Sequence, residues 1–237
     1  MSSTYGSYSS HHTTGEVRYL KDDHVPECVI GSVMVDEMDG VRSHPVFYDP
    51  EDQRVVSVPV YPDSDSCELR DIGPENVDQD SLMDAYAAKV AIADSDPNSS
   101  NIIVSECGEA APIDFGICTS IEHAYDYAAR RLCRDWSDIM VSDEKYLVEC
   151  GSKRDLLEEL GTRAVEKAES VDLDSVIQRV ANRPSLDNGG EAADILGIRC
   201  DEVKRAASGD CKFEELAEGL LEDGILARGT SDRAMGL

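Results

Sequence analysis

The residue types best suited to binding a cation lie in one loop, DSDPNSSN, from Asp94 to Asn101. Asp94, Asp96 and Asn98 have the alternate spacing of the first three ligands in a calcium-binding loop. The glycine and the closing glutamate that complete such a loop are absent, and Pro97 interrupts it. We therefore interpret this loop as a solvated turn rather than a metal site.

A cysteine nucleophile with a histidine base is a second chemistry that the sequence permits. Cys107 precedes Gly108, and His44 or His123 could serve as the base. Eight cysteines and five histidines allow many such pairs, so their presence identifies none of them. The sequence has no Walker glycine loop and no G-x-G-x-x-G, G-x-S-x-G or H-E-x-x-H motif. We predict no catalytic residue, no metal and no cofactor, and hence a protein that is not an enzyme.

The densest basic cluster consists of Arg130, Arg131 and Arg134, within a predicted helix over 119–140. Guanidinium groups bind carboxylates and phosphates through paired hydrogen bonds, so these arginines could clamp such a group. In a chain this acidic, their simplest role is pairing with neighbouring carboxylates or with an acidic partner subunit. We predict that they bind a protein partner.

A second basic group belongs to a segment with a distinctive glycine, GGEAADILGIRCDEVKRAASG, over 189–209. Ala193 is followed by Gly197 at the fourth place and by Val203 at the tenth, with apolar residues at the packing positions between and around them. Residues 191–208 resemble the helix-turn-helix of DNA-binding proteins, in which a small residue lets two helices approach and the glycine makes the turn.

That resemblance implies that 201–208 is a recognition helix and that Arg199, Lys204 and Arg205 face DNA. Asp201 and Glu202 lie on the same short helix, although affinity for phosphates normally comes from lysine and arginine. The alternative interpretation is a plain packing module, because helix-turn-helix shapes also dock proteins.

The whole chain is strongly acidic, with 49 acidic against 22 basic residues and a net charge of −27. The excess is spread along the sequence, and aspartate outnumbers glutamate. This composition resembles that of proteins from extreme halophiles, or from viruses that infect them. At about 1 M salt, repulsion between surface carboxylates is screened within ~3 Å. An alternative is mimicry of nucleic acid, which would require the charge to lie on one face.

The eight cysteines include no C-x-x-C pair and no zinc-finger spacing. Cys133 falls on or near the apolar side of a predicted helix, which favours free thiols over disulfides. The first 25 residues lack the apolar run of a signal peptide, and no stretch is apolar enough to span a bilayer. We expect a soluble protein of the cytoplasm, or of a virion if it is viral, with no membrane partner.

Helix 119–140 is the predicted centre of the fold. Thr119 and Glu122 form a capping-box pattern at its start, and it contains the one tryptophan of the chain. Apolar residues recur along it at helical spacing, which predicts one buried stripe. These residues are Ile121, Tyr125, Ala128, Leu132, Trp136 and Ile139.

A flexible polar arm is predicted over 1–15, followed by an α+β domain over 16–150. β-branched residues and turn-like connections predict successive antiparallel strands in its N-terminal part. The predicted strands cover 28–35, 41–48, 54–61, 101–107 and 114–118, with a helix over 81–93. Residues 151–227 are predicted to form a helical domain, with helices over 153–169, 173–183 and 213–222, and 228–237 a tail.

The predicted fold is thus α+β, with an N-terminal antiparallel β-meander packed on a central helix and a C-terminal helical bundle. The leading functional hypothesis is a non-enzymatic structural or interaction protein of a larger assembly, such as a virion, in a high-salt setting. Its partners would be other protein subunits in a homo- or hetero-oligomer. A helix-turn-helix DNA-binding regulator is the alternative, and a small enzyme with a loop-built site is the third.

Overall fold

Helices and short antiparallel strands alternate in the computed structural model, which confirms the predicted α+β class. No helix among the residues that the structure describes is long and apolar enough to cross a membrane. The described residues are 7–10, 17–21, 26–44, 46–49, 54–61, 65–94, 97–115, 121–132 and 153–181, with residues 203, 205 and 208.

The first sheet contains four strands: β1 (Ser7–Ser10), β2 (Val17–Lys21), β3 (Val46–Asp49) and β4 (Arg54–Ser57). Their order in the sheet is β1-β2-β4-β3, and all neighbours are antiparallel. The sheet departs from a sequential meander because β4 lies between β2 and β3. β1 falls within the predicted flexible arm. There it pairs with β2, and this pairing satisfies its backbone N–H and C=O groups.

The prediction of a strand over 28–35 is wrong, because this segment is helix α1 (Pro26–Asp36). Every residue from Cys28 to Val35 is buried, so the helix shows no amphipathic period. A short run rich in apolar and β-branched residues has the same appearance in a buried strand. Pro26 occupies the first helical position, where its missing N–H costs nothing.

A second sheet is formed by β5 (Ser66–Glu68), β6 (Ile102–Ser105) and β7 (Ala110–Pro112), in that order and antiparallel. Helix α2 (Gln79–Ala91) precedes β6 and packs against β7. Asp78 caps α2, since its carboxylate accepts a hydrogen bond from the Ser81 amide at 2.8 Å. The small residues of its last two turns are all buried, which brings neighbouring backbones close to α2.

Three further helices complete the described fold: α3 (Ile121–Leu132), α4 (Lys153–Ser170) and α5 (Leu173–Ala181). The first four residues of the apolar stripe predicted for 119–140 are buried on α3, while 133–140 lies outside the described residues. α3 packs on α2 and α4, whereas α1 lies against β3. The expected packing of the first sheet on helix 119–140 stays a prediction, because 133–140 lies outside the described residues, and residues 85–91 of α2 are all buried.

Helix α4 confirms its predicted inner face, whereas on α5 the apolar stripe predicted to face inward is only partly buried, since Ile177 is 43% exposed. Leu156, Leu160 and Ala164 are buried on α4, and Val176 is buried on α5. These residues belong to the same hydrophobic cluster as α1, α2 and α3. The domain boundary predicted at 150 and the bundle beyond 181 stay predictions, since the helix expected over 213–222 lies outside the described residues.

Ion pairs attach the C-terminal helices to the rest of the fold. On α4, Arg163 bonds to Asp84 at 3.0 Å, and Lys167 bonds to the same carboxylate at 2.9 Å. On α5, Arg179 reaches Asp36 and a neighbouring glutamate at the end of α1. Burial opposes the charge of Arg179, but the hydrogen bonds that it donates to these two carboxylates outweigh burial and raise the pKa of the guanidinium.

Candidate functional site

The candidate site begins where α2 ends in a left-handed turn. Ala93 has φ 54°, a conformation that costs a non-glycine residue about 1–2 kcal/mol. The amide of Ala93 donates to Val90 O at 2.8 Å, and the amide of Asp94 donates to Lys89 O at 2.8 Å. The turn thereby brings Asp94 back against the last turn of α2.

Lys89 and Asp94 form an ion pair that is fully buried, with 0% exposure of either side chain. Lys89 Nζ lies 2.5 Å from Asp94 Oδ2 and donates a second hydrogen bond to the carbonyl of Ile113 at 2.8 Å. The same ammonium lies 5.2 Å from the centre of the Phe115 ring, within the range of a cation–π interaction. The pair therefore joins the end of α2 to the chain that follows β7.

The hairpin β6–β7 brings together two polar residues from its two ends. β6 begins immediately after Asn101, and Asp114 follows the end of β7 by two residues. Because Ile102 pairs with Pro112, the residues that flank the hairpin meet at its open end. The amide of Ile113 donates to the carbonyl of Asn101 at 2.9 Å, which extends the pairing to the residue before Asp114.

A short turn fixes Asn101 on the other side. The Asn98 side chain accepts a hydrogen bond from the Ser100 amide at 2.8 Å, and the Asn101 amide donates to Asn98 O at 2.9 Å. Asn101 is buried at the end of this turn. The first residue of the predicted solvated turn, Asp94, is instead buried against Lys89.

The residues after Ile113 are held by α1. Asp114 has φ 53°, and Ala93 and Asp114 are the two non-glycine residues with positive φ in the described part of the chain. The Cys28 thiol donates to Phe115 O at 3.0 Å and lies 4.0 Å from Asp114 Oδ1. Phe115 is buried against Gly31, where a Cβ would lie only 2.6 Å from Phe115 Cβ. Contact with α1 therefore fixes the backbone on which the Asp114 carboxylate is carried.

Carboxylate and amide oxygens at one end of a hairpin suit a hard cation such as Mg²⁺. Within the described ranges, no group of three or more His, Cys, Asp or Glu residues could hold a metal ion by itself. Mg²⁺ does not need such a group, because it keeps several waters and is usually bound by one or two protein carboxylates together with substrate phosphates. Asn101 and Asp114 are the two described residues that fit this chemistry, and Asp96 of the same loop lies outside the described residues.

The two predicted basic sites remain untested by this geometry. Arg130 and Arg131 fall on α3, and the structure describes their backbone positions only. Arg134, Arg199 and Lys204 lie outside the described residues, as does most of the helix-turn-helix-like segment. Arg205 is helical and half-buried. Partner binding and DNA contact by these residues stay predictions.

The fold resembles that of a solved kinase. The crystal structure of a Helicobacter pylori proinflammatory kinase, CtkA, aligns with 90% of this chain and 94% of its own, with a TM-score of 0.54 and 12% identity. The N-terminal 618-residue fragment of LepB from Legionella pneumophila aligns with 84% of this chain and 46% of its own, with a TM-score of 0.39 and 12% identity. No protein-family model and no curated protein matches the sequence.

The likeness to CtkA overturns the predicted function. A non-enzymatic structural or interaction protein was the leading hypothesis, and a helix-turn-helix regulator was its alternative, yet the chain shares its fold with a kinase over nearly its whole length. The error arose because only glycine-rich phosphate loops were treated as signs of nucleotide chemistry. Such a loop is one part of a kinase site, and the remaining parts lie on other loops.

Two spacings in the sequence match motifs of protein kinases. Protein kinases carry a catalytic loop in which an aspartate precedes an asparagine by five positions, and later a D-F-G tripeptide. Asp96 precedes Asn101 by that spacing, and Asp114 and Phe115 are followed by Gly116. Asp96 also belongs to the alternate spacing of Asp94, Asp96 and Asn98, which favours a solvated turn over a calcium loop, and the tripeptide falls in the strand predicted over 114–118.

Proposed function

We propose that this protein is a phosphotransferase that binds Mg–ATP and transfers a phosphoryl group to a hydroxyl acceptor. The observation that carries the proposal is the 2.9 Å hydrogen bond from the Ile113 amide to Asn101 O, which holds the D-F-G aspartate, Asp114, beside the catalytic-loop asparagine. The likeness of the fold to a kinase supports it. The proposal names a reaction class and leaves the acceptor open.

The roles follow from the residues that the two motifs supply. Asp114 and Asn101 would hold Mg²⁺, because kinases use the D-F-G aspartate and the catalytic-loop asparagine for that purpose. Asp96 would accept the proton of the acceptor hydroxyl. Bound Mg–ATP supplies the phosphoryl group and the cation that neutralises its charge. The chain itself contributes orientation, since Asn101 and Ile113, the residue before Asp114, are fixed by backbone hydrogen bonds.

The N-terminal part of the chain contains a strand followed by a helix, which are the two elements that carry a further ion pair in kinases. Kinases pair a lysine near the end of a strand with a glutamate on a helix, and this lysine contacts the α- and β-phosphates. Lys21 is the last residue of β2, and Glu27 lies in the first turn of the next helix, α1. We propose that these two residues form that pair. Between β1 and β2 the sequence contains Gly15 alone instead of the usual G-x-G-x-x-G.

The test measures Mg²⁺-dependent ATP binding by calorimetry and phosphoryl transfer from labelled ATP, across a salt series. We expect the native protein to bind and turn over ATP, and Asp114→Asn to lose roughly a hundredfold or more in kcat with little change in unfolding temperature. The matched control is Asp71→Asn, which changes an exposed aspartate before the start of α2. Absence of Mg²⁺-dependent nucleotide binding at every salt concentration where the protein is folded would overturn the proposal.

A further inference from the structure

The Lys89–Asp94 ion pair is fully buried between the end of α2 and the candidate site. We propose that Lys89 is a positioning residue that sets the place of Asp114 and of the loop from Asp94 to Asn101. This inference rests on the proposed phosphotransferase function for its consequence in catalysis. Its structural part concerns the protein without nucleotide and can be tested by itself.

Lys89 holds the segment before Asp114 by its backbone. The ammonium has three N–H donors, of which one bonds to Asp94 Oδ2 and another to Ile113 O. The N–H group of the same Ile113 bonds to Asn101 O. Ile113 is therefore anchored through its carbonyl to α2 and through its amide to the catalytic-loop asparagine, so the residue that follows has little freedom to move.

Asp94 anchors the other segment of the site. Its carboxylate is held by Lys89 inside the protein, two positions before Asp96 and seven before Asn101. The far end of the same loop is held by the turn at Asn98 and Asn101. The single ammonium of Lys89 thus joins the starting point of one site loop to the backbone of the other.

The cost of burying two charges indicates that the Lys89–Asp94 pair positions the neighbouring backbone rather than stabilises the fold. Transferring two charges from water into a protein interior is costly, and well-packed apolar residues of similar volume often serve stability as well or better. The two non-glycine residues with left-handed backbone in the described part, Ala93 and Asp114, stand directly beside Asp94 and Ile113. Such strained residues persist where their surroundings fix them, and they cluster at functional sites.

The test uses the double variant Lys89→Met/Asp94→Asn, which removes both charges and keeps similar side-chain lengths. We expect it to fold, with amide hydrogen exchange at Ile113 faster by roughly tenfold or more while amides in the middle of α2 keep their protection. In the turnover assay, we expect kcat to fall roughly a hundredfold, because small misplacements of catalytic groups are costly, and KM for ATP to change little.

The matched control is Lys167→Met on α4. Lys167 also combines an aspartate, Asp84, with a backbone carbonyl, that of Asp39, but away from the hairpin end. We expect this variant to lower the unfolding temperature without changing Ile113 exchange or kcat. If the double variant does not fold, Lys89→Leu/Asp94→Asn replaces it, since an apolar side chain can fill the buried space without a charge.

The outcomes separate the two proposals. Unchanged Ile113 exchange and unchanged kcat in the folded double variant would overturn the positioning role, whatever the native protein does with ATP. Faster Ile113 exchange in a protein whose native form neither binds nor turns over ATP would support the positioning role and refute the phosphotransferase function. If the double variant and Lys167→Met change Ile113 exchange and kcat equally, the Lys89–Asp94 pair contributes only to general stability, and the positioning role is overturned.

Discussion

The amide of Ile113 and the carbonyl of Asn101 are joined by a 2.9 Å hydrogen bond across the open end of the β6–β7 hairpin. This bond extends the antiparallel pairing of β6 and β7 by one residue beyond the pair Ile102 and Pro112. The next residue, Asp114, lies outside the sheet. A carboxylate and a carboxamide therefore stand on two chain segments whose separation is fixed by backbone geometry. Catalysis of phosphoryl transfer depends largely on such positioning, together with electrostatic stabilisation.

Asn101→Ala should separate the side-chain role of this residue from its backbone role. The backbone bond to Ile113 remains available, while the amide oxygen proposed as a Mg²⁺ ligand is lost. We expect kcat to fall by roughly a hundredfold and the Mg²⁺ concentration for half-maximal activity to rise. Turnover measured across a Mg²⁺ series at saturating ATP checks this.

Asn98→Ala is the matched control, because Asn98 also belongs to this turn but its side chain bonds to the Ser100 amide. It should cost about 1 kcal/mol in unfolding free energy, as for other lost caps, and leave the Mg²⁺ requirement unchanged. An Mg²⁺ requirement that rises equally in both variants would remove Asn101 from the proposed metal site.

Gly31→Ala should disturb the contact between α1 and the D-F-G segment. A Cβ at this position would lie 2.6 Å from Phe115 Cβ and 2.9 Å from its Cγ, and neither atom is the end of a flexible side chain. Overpacking of this kind costs about 1–3 kcal/mol, which exceeds the roughly 1 kcal/mol that alanine gains over glycine within a helix. We expect lower stability in chemical denaturation and lower kcat.

Gly73→Ala supplies the comparison for that variant. The added Cβ would meet the carboxylate end of Glu75, an exposed side chain that can move away. Stability and activity should therefore stay close to those of the native protein. If Gly31→Ala is as well tolerated as Gly73→Ala, the close contact of α1 with Phe115 does not constrain the site.

Arg163→Met should weaken the attachment of α4 to α2. The guanidinium bonds to Asp84 at 3.0 Å and to Asp80 at 2.9 Å, and it also pairs with Glu159 of its own helix. Burial opposes its charge, but these hydrogen bonds outweigh burial and raise the pKa of Arg163 above its ordinary value, so it stays charged at any working pH. We expect a loss of about 1–2 kcal/mol in unfolding free energy, discounted for the exposure of Asp80.

Arg154→Met on the same helix is the control for Arg163. Arg154 pairs with Glu158 at 3.8 Å on an exposed face, and exposed pairs of this spacing contribute only about 0.3–0.5 kcal/mol. Denaturant titration of both variants should show a clear difference between them. Similar losses in the two variants would mean that the cluster around Arg163 contributes no more than a surface pair.

Salt should stabilise the protein, as proposed from its composition. With a net charge of −27, mutual repulsion of surface carboxylates opposes the compact state at low ionic strength. Raising KCl from about 0.1 M to about 2 M shortens the screening length from ~10 Å to below ~3 Å. We expect the unfolding temperature to rise throughout this series, and a flat or falling curve would contradict a halophilic adaptation.

The inner faces of several helices could be predicted because their information is local. On α3, Ile121, Tyr125, Ala128 and Leu132 are buried as their spacing indicated, and Leu156 and Leu160 are buried on α4. Asp172 accepts hydrogen bonds from the amides of the first turn of α5, as its place before an apolar stripe predicted. A helix with one buried face has apolar residues at helical spacing, so the sequence alone identifies both the helix and its buried face.

Where burial is complete, that period disappears and the sequence alone misleads. Residues from Cys28 to Val35 looked like a strand and form a helix, since contacts with Phe115, β3 and α5 cover it on several sides. The polar segment containing β1 carries no apolar pattern that would predict a strand, and it pairs with β2 through backbone groups. The error over 28–35 comes from contacts made by other parts of the chain.

The sequence by itself determined the acidic surface, the periodic helices and the identities of Asp96, Asn101 and Asp114. Only the tertiary structure decided that Asn101 and Asp114 are neighbours, because a hairpin must form before the residues that flank it can meet. It also decided that Lys89 faces inward, where Asp94 and the Ile113 carbonyl compensate its charge. Those partners come from outside the helix that carries Lys89, so no local pattern around it could have predicted the arrangement.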